Sequence, residues 1–199
     1  MCNGKKIGIM GGTFDPVHIA HLILAENVCD ICGLDKVIFI PSGNPPHKDP
    51  AYASASDRYE MVRLAVFGNP HFDVLPIERD RKGPSYSVLT IRELHCMYPD
   101  DRLYFLIGSD ELAILNSWYM IDEIISMCGF IAVGRPGNMD DDNSLMYMKE
   151  KGTDVHMINM PLIEISSTDI RQRIHEGRSI RYMVPDAVLD YIGRKCLYK

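Results

Sequence analysis

Short apolar runs recur along the chain, and most of them lack the alternation of polar and apolar positions that marks a half-exposed strand. β-branched residues are frequent in these runs. We therefore expect six strands that are covered on both faces: Lys6–Met10, Lys36–Ile40, Phe72–Ile77, Arg102–Ile107, Phe130–Val133 and Val155–Ile158.

The stretches between and after these runs place apolar residues at helical spacing. Asp57 and Glu60 form a capping-box pattern at the start of one stretch. Helices are expected over His18–Cys32, Asp57–Phe67, Ser87–Tyr98, Asn143–Lys151, Thr168–Glu176 and Pro185–Lys195. The alternation predicts an α/β, doubly wound (Rossmann-like) fold: a mostly parallel sheet of about six strands, helices on both faces and a small helical C-terminal extension.

Length and composition narrow the class of protein. The chain has 199 residues, 46% hydrophobic and 24% charged, and no linker divides it, so we expect one domain over residues 1–199. The net charge of −6 argues against a nucleic-acid partner. No apolar run approaches the roughly 20 residues of a membrane span, and the first residues, MCNGKK, lack a secretory apolar core. We expect no membrane partner and a cytoplasmic location.

The six cysteines form no disulfide pattern, but Cys29 and Cys32 make one C-x2-C pair. Such a pair is compatible with zinc or redox chemistry. Because no second pair accompanies it, we favour two cysteines on the inner face of the first helix.

Ligands of doubly wound sheets bind at the carboxyl ends of the strands. All six predicted strand ends carry polar or glycine-rich loops, which predicts one site along one edge of the sheet. Their sequences are GGTFDPVH, PSGNPPHK, ERDRKGPSYS, GSDE, GRPG and SSTDIR.

The first of these loops carries two histidines on the first turn of a helix. His18 and His21 share one face there, where free backbone N–H groups and the positive helix end favour anions. The glycines Gly11 and Gly12 match neither the dinucleotide fingerprint nor the phosphate loop of NTPases. Taken alone they indicate only a tight turn.

The last loop places three hydroxyl residues at a second helix start. Ser166 and Asp169 form a capping box, which accounts for part of the pattern. A cap requires neither three consecutive hydroxyls nor an arginine one turn later, at Arg171. Hydroxyls, free N–H groups and a guanidinium together suit a polyphosphate.

GGTFDPVHIAH together with ISSTDIR resembles the HxGH nucleotidyltransferases. The landmarks PSGNPPHK, GPSYS, IGSD and GRPG narrow the resemblance to bacterial-type nicotinate-nucleotide adenylyltransferase, over residues Lys6 to about Ile192. The resemblance implies a single nucleotidyltransferase domain that transfers AMP from ATP to nicotinate mononucleotide. The products are nicotinate adenine dinucleotide and pyrophosphate. The resemblance places this reaction in NAD biosynthesis.

The resemblance also implies roles for individual residues. His18, His21 and Arg171 are the expected catalytic residues. Trp118 is expected to stack on the pyridine ring. The expected ATP-binding residues are Gly11, Gly12, Thr13, Phe14, His21, Gly108, Asp110, Ser167, Thr168 and Arg171; those for nicotinate mononucleotide are Asn44, Lys48, Ser87, Trp118, Tyr119 and Arg135.

Two positions depart from the family pattern. Ala20 stands where the family has the glycine of HxGH, and Leu89 stands where it often has Asp. Mg²⁺ is expected as cofactor, held by the ATP phosphates rather than by protein side chains. The run Asp140-Asp141-Asp142 is expected to be a solvated loop and no metal site.

Three other activities stay open at this stage. A related adenylyltransferase would use nicotinamide mononucleotide or phosphopantetheine, whereas a nucleotide-sensing module would bind without turnover. The sequence leaves the oligomeric state open, a homo-oligomer included.

Overall fold

In the computed structural model, residues 4–44, 50–108, 111–112, 114–134, 146–148, 150–160 and 163–199 are described. Six strands form one sheet in the order β3-β2-β1-β4-β5-β6. Every neighbouring pair runs parallel. The strands are β1 Lys6–Gly12, β2 Lys36–Pro41, β3 Phe72–Val74, β4 Arg102–Gly108, β5 Gly129–Gly134 and β6 Val155–Asn159. This arrangement confirms the predicted doubly wound fold.

Helices connect and cover the strands. They are α1 Ile19–Cys32, α2 Ala55–Val66, α3 Ile77–Asp80, α4 Ser87–Met97, α5 Ile121–Met127, α6 Ser167–His175 and α7 Asp186–Lys195, with a 3₁₀ turn over Leu115–Ser117. Residues 146–148 are also helical, as predicted for Asn143–Lys151. Residues 143–145 and 149 of that segment lie outside the described residues, as does the Asp140–Asp142 run.

The sheet separates two hydrophobic clusters, one on each face. In β1, Ile7 and Ile9 belong to one cluster and Met10 to the other. Likewise in β5, Phe130 and Ile131 face opposite clusters, and both side chains are fully buried. Burial on both faces explains why the strands read as continuous apolar runs, and it confirms that prediction.

Several predicted boundaries differ from the observed ones, and two of the larger differences have local reasons. The third strand ends at Val74 instead of Ile77, because Pro76 caps the short helix α3 that begins at Ile77. Helix α2 begins at Ala55 instead of Asp57. Its cap is Ser54, whose hydroxyl accepts the N–H of Asp57, so the Asp57–Glu60 capping box is replaced by a serine cap.

Strand register opens the sheet at one edge. Pairing of β1 with β2 continues to Gly12 opposite Pro41. Pairing of β1 with β4 stops at Ile9 opposite Phe105, although β4 itself runs on to Gly108. The carboxyl ends of β1 and β4 therefore diverge, which leaves a crevice where the strand order reverses.

The described cysteines offer no support for a zinc or redox centre. Cys29 is buried, and its thiol donates to the carbonyl oxygen of Leu34. Burial raises the pKa of the Cys29 and Cys32 thiols, which keeps them unreactive at neutral pH. Within the described ranges, no three or more His, Cys, Asp or Glu side chains are grouped so as to hold a metal ion.

The longest helix in the described part of the chain, α1, has 14 residues. None of the helices in that part of the chain has both the length and the apolar composition needed to cross a bilayer.

Candidate active site

The loop after β1 forms one wall of the crevice. Gly12 lies so close to the ring of Phe14 that a Cβ at position 12 would approach the ring to 2.9 Å. Phe14 itself adopts a positive φ of 50° and is buried in the core. Its ring meets that of His21 edge to face, with 5.0 Å between centroids. The Phe14 side chain therefore supports an imidazole of the site.

His18 and His21 form a stacked pair at the start of α1. His18 is the N-cap residue, and its backbone N–H donates to Nδ1 of His21 at 3.2 Å. The ring centroids are 3.7 Å apart. Because Nδ1 of His21 accepts this bond, the proton of the neutral ring lies on Nε2. Nε2 is then a hydrogen-bond donor.

Burial keeps both imidazoles uncharged. Desolvation lowers the pKa of His18 to about 4. Desolvation, and then the charge of His18, lower the pKa of His21 to about 3. At neutral pH the two rings of the ligand-free protein are hydrogen-bonding groups and not cations. Nδ1 of His18 is buried and, within the described part of the chain, has no hydrogen-bond partner.

Helix α6 meets this loop from the far end of the chain. Ser166 caps the helix by accepting the N–H of Asp169, as predicted. The hydroxyl of Ser167 donates to the carbonyl oxygen of Pro16 at 2.9 Å. Its neighbour Thr168 is exposed. Hydroxyls predicted to bind phosphate thus lie beside the residues that lead into α1.

The guanidinium of Arg171 completes this contact. Its Nη1 donates to the carbonyl oxygen of Asp15 at 2.7 Å, and its Nη2 donates to the hydroxyl of Thr168 at 3.2 Å. The guanidinium carbon lies 4.5 Å from the ring centroid of Tyr52. These contacts hold a fixed cation next to the histidine loop.

A cleft of about 240 Å³ occupies the crevice between β1 and β4. The indole of Trp118 forms part of its wall and meets the ring of Phe105 edge to face. Of the residues predicted for substrate binding, the cleft brings together Gly11, Gly12, Thr13, Ser87, Gly108 and Trp118.

Among the cleft residues that were not predicted, Ser42 and Glu78 carry buried polar groups. The hydroxyl of Ser42 is buried and without a hydrogen-bond partner among the described residues. Its position directly after a buried strand was the signal that could have identified it. Glu78 is a buried carboxyl group that accepts the hydroxyl of Thr90 at 2.6 Å, and burial raises its pKa. A charged residue in an exposed-looking run gives no such signal.

Ser85 fixes the loop that contains Asn44. Its hydroxyl accepts the N–H groups of Gly43 at 3.1 Å and Asn44 at 2.9 Å. Its own N–H donates to the carbonyl oxygen of Asn44. Only glycine fits at position 43, because a Cβ there would lie 2.1 Å from the carbonyl oxygen of Glu78. Tyr119 is exposed at the rim, with its ring against Tyr86.

Three predicted site residues, Lys48, Asp110 and Arg135, lie outside the described residues.

Ala20, one of the two departures from the family pattern, lies at the surface of a recess. Its methyl group lines an apolar recess of about 170 Å³ between α1 and the segment after β6. The other lining residues are His18, His21, Ile23, Leu24, Met160 and Ile163. Leu89 is partly buried and packs against the core.

The chain is similar to a known protein family and to several proteins that share one name. The model of the cytidylyltransferase-like family matches residues 9–173. A protein of Desulfitobacterium hafniense strain Y51, named probable nicotinate-nucleotide adenylyltransferase, is 44% identical to this chain, and the alignment covers 98% of this chain and 96% of the relative. A protein of the same name from Exiguobacterium sibiricum is 46% identical, and that alignment covers 97% of this chain and 98% of the relative.

Solved structures agree in fold. Plasmodium falciparum nicotinic acid mononucleotide adenylyltransferase complexed with NaAD superimposes with a TM-score of 0.75. The alignment covers 98% of this chain and 97% of the other, at 21% identity. The structure named as a putative nicotinate-nucleotide adenylyltransferase from Vibrio parahaemolyticus gives a TM-score of 0.68 at 19% identity. That alignment covers 94% of this chain and 99% of the other.

The lowered pKa values predict that acid destabilises the ligand-free protein. Below pH 6.5 the unfolded chain binds protons at positions 18 and 21, whereas the folded chain does not until about pH 4 and 3. The free energy of unfolding therefore falls with falling pH, by up to about 1.4 kcal/mol per pH unit for each histidine. Urea unfolding between pH 7 and 4.5 measures this slope.

The variant His21→Asn tests the origin of the slope. Asparagine retains an acceptor for the N–H of His18 but does not titrate, so the slope should become shallower. His95→Asn, on the exposed side of α4, is the matched control and should leave the slope unchanged. Equal slopes in wild type and His21→Asn would contradict the assignment.

Proposed function

The chain belongs to the cytidylyltransferase-like family and, within it, to the nicotinate-nucleotide adenylyltransferases, and we propose that it transfers the adenylyl group of ATP to nicotinate mononucleotide. One structural observation carries the proposal beyond the family: two helix starts, one with His18 and His21 and one with Arg171, meet at a single sheet edge. The cleft at that edge contains an indole suited to a flat ring.

The reaction is a direct displacement at phosphorus. A phosphate oxygen of the mononucleotide attacks the α-phosphorus of ATP, the bond from that phosphorus to the bridging oxygen breaks, and pyrophosphate leaves with the electron pair. The attacking monoester has a second pKa near 6, so it is largely ionised at pH 7. A general base is therefore not required.

The protein's contribution is position and charge. His18 and His21, as neutral donors, bind the oxygens around the α-phosphorus in this proposal, where negative charge develops. Nδ1 of His18 then gains the partner that it lacks among the described residues. Phosphate binding also raises the pKa of both rings, because the anion favours their charged forms.

Ser167, Thr168 and Arg171 hold the β- and γ-phosphates in this proposal. Their side chains lie at the start of α6, where backbone N–H groups are also free to bind anions. We assign Mg²⁺ to the ATP phosphates and water, a common mode for this ion. When bound, it neutralises charge on the leaving pyrophosphate.

The cleft is the proposed site of the mononucleotide. Trp118 supplies a face for the pyridine ring, and Ser87 with the backbone N–H of Tyr119 faces the carboxylate. Asn44 approaches the mononucleotide from the neighbouring loop. Lys48, Asp110 and Arg135 stay predictions from the family resemblance.

A pyrophosphate-release assay with ATP and several acceptors tests the function. We expect turnover with nicotinate mononucleotide and at least about 10²-fold lower kcat/KM with the nicotinamide form, roughly 3 kcal/mol. The amide NH₂ would meet a donor and leave buried polar groups unpaired. Equal use of both would refute the acid preference but not adenylyl transfer. Turnover only with phosphopantetheine, or binding without turnover, would refute the proposal.

Replacing Arg171 by lysine tests the polyphosphate site. Lysine is a point charge and cannot hold Asp15, Thr168 and a phosphate with one planar fork. We expect Arg171→Lys to raise the KM for ATP about 10-fold or more and to leave the Kd for the mononucleotide unchanged. Arg173→Lys is the matched control, because the guanidinium of Arg173 on the same helix bonds to Asp169, four residues earlier. Unchanged ATP kinetics in Arg171→Lys would contradict the assignment.

Replacing Trp118 tests the ring platform. Trp118→Ala should weaken use of both mononucleotides by at least about 10-fold, since stacking on an aromatic face contributes about 1–3 kcal/mol. Trp118→Phe should recover much of that loss. The affinity for an ATP analogue, measured by calorimetry, should not change in either variant. A loss of ATP affinity equal to the loss of acceptor affinity would assign Trp118 to the core instead.

A further inference from the structure

Arg58 is a buried cation between the loops of the site. It lies in the first turns of α2, and only 1% of its surface is exposed. Three of its N–H groups donate to three carbonyl oxygens: Nε to Ala53 at 3.2 Å, Nη1 to Thr13 at 2.7 Å and Nη2 to Gly43 at 3.1 Å. Each of these carbonyls belongs to a different stretch of loop.

Two buried carboxyl groups act on the guanidinium. Burial lowers the pKa of Arg58, whereas the charges of Asp15 and Glu78 raise it. Asp15 is itself buried, and its carboxylate accepts the N–H of Tyr52 and the hydroxyl of Tyr198, each at 2.7 Å. Arg58 therefore compensates the buried negative charge of Asp15 and of Glu78.

A buried charge of this kind is weak evidence for a role in stability. Taking a guanidinium out of water is costly, and a well-packed apolar side chain of similar volume often stabilises a core more. What an apolar residue cannot do is bind three diverging carbonyl oxygens. Arginine holds them because its donors are fixed in one plane.

This inference rests on the proposed function, in which two of the loops that Arg58 bonds to bind different substrates. Thr13 lies in the loop assigned to ATP, and Gly43 immediately precedes Asn44, which is assigned to the mononucleotide. A single guanidinium therefore joins the donor loop to the acceptor loop. In-line transfer requires the reacting atoms to be held about 3–3.5 Å apart, and a 1 Å displacement costs as much as about 10²-fold in rate.

We propose that Arg58 is a positioning residue, which sets the spacing between the ATP loop and the acceptor loop and thereby controls turnover without touching either substrate. Each loop retains its own contacts when Arg58 is changed: Ser167 holds Pro16 on one side and Ser85 holds Gly43 and Asn44 on the other. Binding of either substrate alone then depends little on Arg58. The rate of their reaction depends on it strongly.

The test compares Arg58→Lys with Arg63→Lys. Both substitutions are on α2, but Arg63 is half exposed and bonds to Glu60 within the helix. Calorimetry measures the Kd of a non-hydrolysable ATP analogue and of nicotinate mononucleotide separately, together with the number of binding sites. Steady-state assays give kcat per functional site.

We expect Arg58→Lys to lower kcat about 10²-fold while each Kd stays within about 3-fold of wild type. Arg63→Lys should match wild type in all values. A normal kcat in Arg58→Lys, or a fall in kcat matched by equal losses in both affinities, would overturn the proposal.

Two further measurements distinguish failure of the positioning role from a loss of folding and from failure of the proposed function. Arg58→Gln, which is neutral and keeps an amide NH₂ group as donor, is the second variant and should show the same split between kcat and Kd. If neither variant folds by circular dichroism, Arg58 maintains the fold and the positioning role is refuted. An inactive wild type would instead refute the adenylyl-transfer proposal, before any variant is interpreted.

Discussion

The unequal pairing of β1 with its two neighbours is the constraint on which the site depends. Hydrogen bonding to β2 continues to Gly12, whereas hydrogen bonding to β4 ends at Ile9. The backbone beyond Ile9 must therefore leave the plane that it shares with β4. The carboxyl ends of parallel strands lie at one edge of the sheet, so the divergence opens the sheet beside the loops that follow β1 and β4. The cleft, the histidine pair and the contact with α6 all follow from this opening.

The sequence predicted the sheet well because its signal is local. Strands covered on both faces must be apolar throughout, and the chain meets that requirement in six runs. Prediction was wrong where local signals compete: Leu75 and Ile77 extend an apolar run, but Pro76 between them is the N-cap residue of a helix that begins at Ile77. Helix α5 was missed, because no cap residue marks its start and Met120 before it adopts a left-handed conformation.

Only the part of the site that has a local sequence signal was predicted. His18, His21 and Arg171 belong to short motifs whose spacing has a chemical meaning. Arg58 and Glu78 belong to none, and their burial arises from contacts with residues distant along the chain, such as Thr13, 45 positions from Arg58. The charge state of the histidines was equally inaccessible, because desolvation is a property of the packed structure. A pair expected to act as cations or donors is a pair of donors in the ligand-free protein.

The stacked imidazoles have a thermodynamic consequence for any anion that binds beside them. Each ring is neutral at pH 7, and burial has lowered its pKa to about 4 for His18 and about 3 for His21, so a polyphosphate at van der Waals distance favours the protonated form. Association then draws protons from the solution. Its apparent enthalpy varies with the ionisation enthalpy of the buffer, and its affinity weakens as the pH rises. Anion binding beside the histidine pair is in this sense coupled to proton uptake.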